Sequence, residues 1–531
     1  MVNTKKAIFW AGAVVAVLAI GNLALTRIAE HKLHKALADI PGVHIEIKRM
    51  SLSPILGNLE FRDVEITLQD STHTVPDVQG HIDAIRLERL RWRSLLKGEA
   101  RLRRLVVRGP VARLVLPEKS AEKKPAEVQQ DSSAQTASFL KKVSLSELRV
   151  EKAQFGLRSR KDSLKVDVQE VGFSVRDISV LLAENSVEYN DSSYCFSLDS
   201  LDFTDELGLS RIRIGHLATC DAGPVEGLGI HLFNCVPMEE LAERMGKVSS
   251  VWYDVKLDSL RTNPLNIPRL VKNQRVEIGS VHLSSPEMVL FQDDRYPPAV
   301  PYTTLQEGLN TLDLPLHVGK IDANIKLFTF IWETTHINRG TLPLHNVRVA
   351  ISSVSNARDN VMGLSIRSGK KGTGALNLST YIRNDRQEST HGELHIKDMD
   401  ASRLDSFIRP LFGATVRADI HQIDGTFKGN KDQMTENFCM LYDGLSIKAW
   451  DDVDAPFKIM AQNSGAVTFL ANLIVPNANP SKSGKEPKMV GVTFKRDPMQ
   501  PYPVYLIQNL TMGMLRTVLP SGAIHKDDKK K

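Results

Sequence analysis

From Ala7 to Leu25 the chain carries no charged side chain. Helical rise of about 1.5 Å per residue lets this run reach roughly 28 Å, close to the thickness of a bilayer's hydrocarbon core. Lys5 and Lys6 precede it, and the positive-inside tendency places residues 1–6 in the cytoplasm, although Arg27, Lys32 and Lys35 behind it weaken the asymmetry. A cleaved signal peptide is the alternative, but its apolar region usually runs only about 7 to 15 residues before a small-x-small site. Here the run is longer, and an amphipathic segment (Ile28, Leu33, Leu37, Ile40) follows at once. The reading is a retained transmembrane helix over residues 7–26.

After Pro41 and Gly42 the periodicity changes from helical to strand-like, with short alternating runs broken by Gly, Pro, Asn and Asp. The fold class expected is mainly β with a few helices. Helical spacing returns near 237–247, near 402–411 and over the C-terminal 504–519, a helix with Arg516 as its only charge. Residues 117–138 carry charge, Pro, Gln and Ser with almost no bulky apolar side chain and read as a flexible linker. Residues 476–488 read as a second loop. The expected organisation is then a helix plus β region at 27–116, a repetitive sheet at 139–475, and a final strand, apolar helix and basic tail at 489–531.

One pattern recurs in the strands. Apolar residues stand at Ala100, Leu102, Leu105, Val107, Ala112 and Leu114, and the same offsets give Val143, Leu145, Leu148, Val150, Phe155 and Leu157. They recur at Val276, Ile278, Val281, Leu283, Met288 and Leu290, and again at Leu316, Val318, Ile321, Ala323, Phe328 and Phe330. Six apolar positions alone would match roughly three windows by chance, and requiring four polar positions between them lowers that to roughly 0.3. The copies at Val143, Val276 and Leu316 meet the stricter rule, and the copy at Ala100 misses it only at Val106. Alternation on either side of a two-residue step keeps one face apolar while an extra residue absorbs a bend, as a bulge does. Pro110 and Pro286, which lack a backbone donor, suit a sheet edge or the start of a next strand. Leu145, Val150, Phe155, Val276, Ile278, Leu283, Leu316, Val318 and Phe328 are the candidates for an inner apolar wall, with a closed β core as the alternative.

The net charge of +6 is spread over 68 basic and 62 acidic side chains, too even a mixture for the dense positive face that nucleic acid requires. Cys195, Cys220, Cys235 and Cys439 show no Cys-x-x-Cys spacing. They read as buried free thiols, with a Cys220 to Cys235 bridge as the alternative in an oxidising compartment. Gly-x-Ser-x-Gly, His-Glu-x-x-His and Walker A patterns are absent. Ser94 and Lys97 have Ser-x-x-Lys spacing without its companion motifs, and a helix end is the better reading. Residues 369–374 (GKKGTG) place Lys ahead of the central Gly and read as a hairpin turn. His31 and His34 read as a solvated face, and Asp451, Asp452 and Asp454 as a loop without calcium-ligand spacing. No catalytic, cofactor-binding or metal-binding residue is named, and an enzyme is not expected.

The anchor, the segment HIEIKRMSLSPILGNLEFRDVEITL (44–68), the strand pairs RLRRLVVRGPVARLVL and RVEIGSVHLSSPEMVL, and the later β-rich half resemble the AsmA-like family of bacterial envelope proteins. That resemblance implies an elongated, bent sheet with an apolar groove inside and a polar outside. It further implies inner-membrane anchoring, a periplasmic body, phospholipid as partner and a role in outer-membrane biogenesis. The competing function is a structural or assembly factor for outer-membrane proteins, engaging client strands at sheet edges.

Overall fold

The computed structural model describes residues 43–518 apart from 54–55, 69–76, 92–93, 95–96, 98, 117–141, 161, 182–185, 189–192, 268–269, 271–272, 335–338, 370–373, 413, 450–475, 482–484, 500, 502–504, 506–508, 510–512 and 514–515. The expected anchor at 7–26, His31, His34, the linker at 117–138, Asp451, Asp452, Asp454 and the basic tail lie outside the described residues. Among the described residues, no helix is long and apolar enough to cross a membrane. The chain is mainly β, with a few short helices, and divides into two compact units: residues 1–228 with 264–268, and residues 229–263 with 269–531.

In unit one, β1 (Val43–Ser53), β2 (Asn58–Leu68), β3 (Asp77–Glu88) and β4 (Glu99–Leu116) pair antiparallel in succession. β5 (Lys142–Ser159) then lies parallel to β4, and β6 (Lys165–Leu181) antiparallel to β5. β7 (Ser186–Glu188), β8 (Tyr194–Leu198) and β9 (Ser200–Thr204) pair with β6, and β8 and β9 pair with β10 (Ser210–Cys220). The chain passes into unit two within β11 (Pro224–Asn234).

Unit two repeats the arrangement. β12 (Ser250–Pro264) pairs antiparallel with β13 (Val276–Asp294), β13 is parallel to β14 (Leu316–Thr334), and β14 is antiparallel to β15 (Gly340–Ser355). β16 (Val361–Ser368), β17 (Ala375–Arg383), β18 (Thr390–Asp400), β19 (Ala414–Gly429), β20 (Gln433–Ala449) and β21 (Met489–Lys495) follow, each antiparallel to the one before.

The four sequence copies are the four parallel strands, and the copies within a unit pair in register. Ala100 faces Val143, Leu102 faces Leu145, Val107 faces Val150 and Ala112 faces Phe155. Val276 faces Leu316, Ile278 faces Val318, Leu283 faces Ala323 and Met288 faces Phe328. Parallel neighbours need a connection of about a dozen residues or more, and the interval between β4 and β5, which contains the expected linker 117–138, is long enough for one.

At two levels the ladders skip a position in both partners. Asp63 and Asp83 are unpaired between β2 and β3, Asp83 and Gly109 between β3 and β4, and Gly109 with Pro110 opposite Lys152 with Ala153 between β4 and β5. In unit two the gaps are Gly279 opposite Gly319, Gly319 opposite Ser353, and Pro286 opposite Lys326 and Lys326 opposite Asn346. Asp63, Gly109, Lys152, Asn346 and Ser353 have φ of 55°, 57°, 55°, 52° and 55°, the left-handed conformation of an inserted bulge residue. β6 and β15 carry such residues in pairs of equal spacing, Glu170 with Asp177 and Asn346 with Ser353. The expectation for the prolines is corrected here. Pro110 and Pro286 stand inside interior strands at bulge levels: Pro110 has no register partner on β5 but pairs with Ile82 on β3, and Pro286 has none on either neighbour.

The expected helices near 237–247 and 402–411 form as α1 (Leu241–Arg244) and, after the second of these, as a 3₁₀ turn at Ala401–Leu404 running into a helix over Asp405–Phe412. Tyr505, Asn509, Gly513 and Arg516 to Val518 are helical. Unexpected is α2 (Leu305–Asn310), started by a capping box in which the Thr304 side chain accepts from the Glu307 backbone N–H. The helix over Asp405–Phe412 is α3. β16 and β17 pair antiparallel on either side of GKKGTG, of which residues 370–373 lie outside the described residues. Residues 476–481 form no strand, but Asn479 exchanges backbone hydrogen bonds with Tyr442, so this loop is tied to β20.

Cysteine pairing differs from the sequence expectation. Cys195 and Cys220 stand directly opposite one another on β8 and β10, with Cα atoms 4.1 Å apart, and form a disulfide. Cys235 is exposed and takes no part in the disulfide. Next to the bridge, the buried Tyr194 hydroxyl donates to the Leu265 carbonyl at 2.9 Å and accepts from the Ile267 N–H at 3.0 Å, which fastens residues 264–268 to unit one. Peptide mapping without reductant is expected to recover Cys195 joined to Cys220 and an alkylated Cys235; a Cys220 to Cys235 peptide contradicts the pairing. Reduction is expected to lower the unfolding free energy by about 3 kcal/mol, the entropy released by a loop of this length, read as a fall in melting temperature.

Candidate functional site

Apolar side chains in unit one line up across strands. Met50, Phe61, Ile85, Val107, Val150, Phe173 and Phe196 form one row, each the register partner of the next, from β1 to β8. Leu52, Leu59, Leu87, Leu105, Leu148 and Val175 form a second row beside it. A third row, Ile45, Ile66, Gly80, Ala112, Phe155, Val168, Leu201 and Ile214, lies across the bulge level and reaches β10. None of the seven residues of the first row is fully buried, three phenylalanines among them.

The opposite face of the same strands is charged. Glu60 accepts from Arg62 at 2.9 Å and Arg86 at 3.1 Å, and these guanidiniums hold its carboxyl below the usual range against the opposing effect of its partial burial. Arg104 donates to Glu147 at 2.7 Å and Arg108 to Glu151 at 3.2 Å, both across the parallel β4 and β5 pair. Each exposed pair contributes roughly 0.2–1 kcal/mol at most, so their main consequence is to fix which side faces water.

In unit two the corresponding face begins open and ends closed. Val281, Ile321, Ile351 and Leu364 form a row from β13 to β16, all half-buried. Farther along, Leu394, Ile423, Phe438, Met440 and Tyr442 are almost wholly buried and pack with Val518. Phe330, Trp332 and Phe407 make a smaller core where α3 meets the sheet.

Leu145, Val150 and Phe155 lie on β5 in unit one, and Val276, Ile278, Leu283, Leu316, Val318 and Phe328 on β13 and β14 in unit two. Pairing joins Val276 to Leu316 and Ile278 to Val318 directly, while Leu283 and Phe328 meet Ala323 and Met288. Leu145 and Val318 are buried and the other seven half-buried.

The closed end carries a group that sequence reasoning missed. Met434, Glu436, Phe438, Met440 and Tyr442 alternate along β20, so one face holds a single carboxyl among apolar side chains, and all five are buried. The C-terminal helix covers this face with Tyr505, Asn509, Gly513 and Thr517, spaced one helical turn apart and all buried. Tyr505 packs with Met434 and Phe427. A Cβ added at Gly513 would stand 2.2 Å from the Phe438 ring, so only glycine allows the approach. Met434 to Phe438 spans about 13 Å of strand, and Tyr505 to Gly513 about 12 Å of helix; the match sets Asn509 opposite Glu436. Among the described residues, neither Glu436 carboxyl oxygen nor the Asn509 amide nitrogen has a hydrogen-bond partner. Burial pushes the Glu436 carboxyl up to about 8. The alternation Met-x-Glu-x-Phe-x-Met-x-Tyr was visible in the sequence; that both faces of the contact would be dry was not.

Polar clusters elsewhere are structural ties. Asp294 accepts from Ser249 at 2.6 Å, Gln292 at 2.7 Å and Trp332 at 2.8 Å, which ties the ends of β13 and β14 together. Ser94 and Lys97 sit in a turn joined by the Lys97 N–H to the Ser94 carbonyl at 2.9 Å, the helix-end role expected. Among the described residues no three His, Cys, Asp or Glu side chains gather as a metal site.

Comparison with known proteins finds no protein-family model that matches the sequence, and no curated protein that matches it significantly.

Glu436 gives a pH dependence of definite sign. Its folded value near 8 lies above the ordinary carboxyl value of 4.5, so its stabilising neutral form is fully present below about pH 4.5 and is lost as the pH rises through 8. Glu436→Gln is expected to leave the melting temperature unchanged near pH 4 and to raise stability at pH 9 by about 2–4 kcal/mol. Equal pH profiles for the two proteins would contradict a buried neutral carboxyl.

Proposed function

We propose that this chain is a membrane-tethered, AsmA-like lipid-handling protein of the bacterial inner membrane, with its body in the periplasm, and that the apolar sheet face shields phospholipid acyl chains from water. The observation that carries the reading is the set of in-register apolar rows in unit one, continuous from β1 to β10 and half-buried throughout. A face of this kind is a poor end state for a sheet in water, since apolar surface left accessible forfeits about 25 cal/mol per Å². An acyl chain laid across it recovers about 0.8 kcal/mol for each methylene removed from water. The rows offer contact without hydrogen-bonding groups, which suits a ligand that has none, and passage along them consumes no chemical energy.

Two further features agree. A disulfide between Cys195 and Cys220 suits an oxidising compartment such as the periplasm. The uncharged run Ala7 to Leu25 suits an anchor that returns the body to the membrane from which lipid is drawn.

The test is lipid retention by the full chain, delipidated in mild detergent and then exposed to vesicles of phospholipid with fluorescent acyl chains. The wild type is expected to retain lipid after the vesicles are removed. Val150→Glu combined with Phe173→Glu places two carboxylates in the first row and is expected to lower retention at least about fivefold with an unchanged circular dichroism spectrum, each added charge opposing apolar contact. Arg149→Glu on the opposite face is expected to retain lipid normally. Retention that is absent in the wild type, or unaffected by the double substitution, contradicts the reading.

A further inference from the structure

The two modules differ where β13 and β14 begin. Register places Arg275 of unit two where unit one has Glu99, and Pro315 where unit one has Lys142. Glu99 is spent on a local ion pair with Arg101 at 2.8 Å. Arg275 has no such partner, and neither Asp313 nor His317 makes a side-chain hydrogen bond or ion pair among the described residues. All three line one hollow of about 460 Å³, within the range of about 300–1,000 Å³ usual for small-molecule sites.

The walls of the hollow are fixed. Asn356 accepts from the Leu316 N–H at 2.9 Å and donates to the Leu314 carbonyl at 3.0 Å, so one side chain clamps both ends of the Leu314–Leu316 segment. The Val276 N–H donates to the Pro315 carbonyl at 2.9 Å and joins that segment to β13. Leu312 and Leu314 stand at the rim with 45% and 42% of their surface in water, although neither is needed by a core. The hollow adjoins Leu316, whose register partner Val276 opens the apolar face of the module.

We propose that this hollow holds the headgroup of a phospholipid whose phosphodiester is followed by a primary ammonium, with the acyl chains leaving over Leu312 and Leu314 toward the apolar face. The assignment rests on the lipid reading above and adds a headgroup to it. Arg275 supplies a forked cation of the kind that takes two phosphate oxygens at once. Asp313 supplies the counter-charge for an ammonium, and its presence disfavours a dianionic phosphate monoester by like-charge repulsion. A quaternary ammonium has no N–H to give Asp313, so the site distinguishes phosphoethanolamine from phosphocholine headgroups. His317 adds a ring N–H within the same wall.

The test uses the full chain and vesicles that contain phosphatidylethanolamine and phosphatidylcholine with identical acyl chains, and measures the ratio of the two lipids retained by native mass spectrometry. The wild type is expected to favour phosphatidylethanolamine about tenfold. Arg275→Ala and Asp313→Asn are each expected to bring the ratio near one while total acyl-chain retention holds, and Arg275→Lys to restore only part of the preference. Retention without headgroup preference in the wild type, or a preference that survives both substitutions, overturns the headgroup site and leaves the apolar face intact as a lipid surface. Loss of all retention in the wild type overturns both. Binding of soluble glycerophosphoethanolamine, the phosphodiester headgroup without acyl chains, by the lipid-free chain at sub-millimolar concentration overturns the lipid source, since it would make the hollow a site for the free headgroup.

Discussion

A bulge in one strand reverses the side-chain alternation beyond it, so an isolated bulge would turn half of an apolar strand toward water. This constraint governs the whole molecule. Each module answers it by carrying the extra residue at the same level in every neighbouring strand. Asp63, Asp83, Gly109 and Lys152 continue one such level from β2 to β5, and Gly279, Gly319 and Ser353 another from β13 to β15. Because the partners step together, the register on the far side is unchanged and the apolar rows remain on one face. Gly279 and Gly319 show how tight the level is: a Cβ at Gly319 would stand 2.6 Å from the Gly279 carbonyl oxygen.

Within each unit the matched levels produce a sheet with two unlike faces. Charged pairs such as Arg104 with Glu147 keep one face in water. The other face is left half-open over β1–β10 and β13–β16, then sealed at β18–β20 by the helix that carries Tyr505, Asn509, Gly513 and Thr517. Beneath the described residues of that helix lies the Glu436 carboxyl, which has no hydrogen-bond partner among the described residues.

Much of this was legible beforehand. Six apolar offsets located the four strands of the two parallel pairs, because a bulge leaves a two-residue break that periodicity registers directly. The nine proposed wall residues fall on the strands expected. What periodicity does not register is which strand lies next to which. That copies pair with one another, and that 117–141 connects parallel neighbours, depends on non-local pairing with no local signature. Pro110 and Pro286 misled for the same reason, since both stand at bulge levels that only the pairing reveals. The disulfide was misassigned because closeness in sequence favoured Cys235, whereas opposition across β8 and β10 selects Cys195. Glu436 and Arg275 were passed over because neither belongs to a motif; only burial marks the first, and only the lack of a partner marks the second. α2 was missed although Thr304 and Glu307 spell a capping box, six residues being too few for a clear helical period.

The central claim is that lipid touches one face of the unit-one sheet and not the other. A photoreactive phenylalanine analogue placed at Phe61 or Phe173, and separately at Arg86 or Arg149 on the charged face, would report this directly in native membranes. The account predicts phospholipid adducts at the first two positions and none at the last two. Equal labelling of the two faces, or adducts with neighbouring side chains in place of lipid at Phe61 and Phe173, would contradict it.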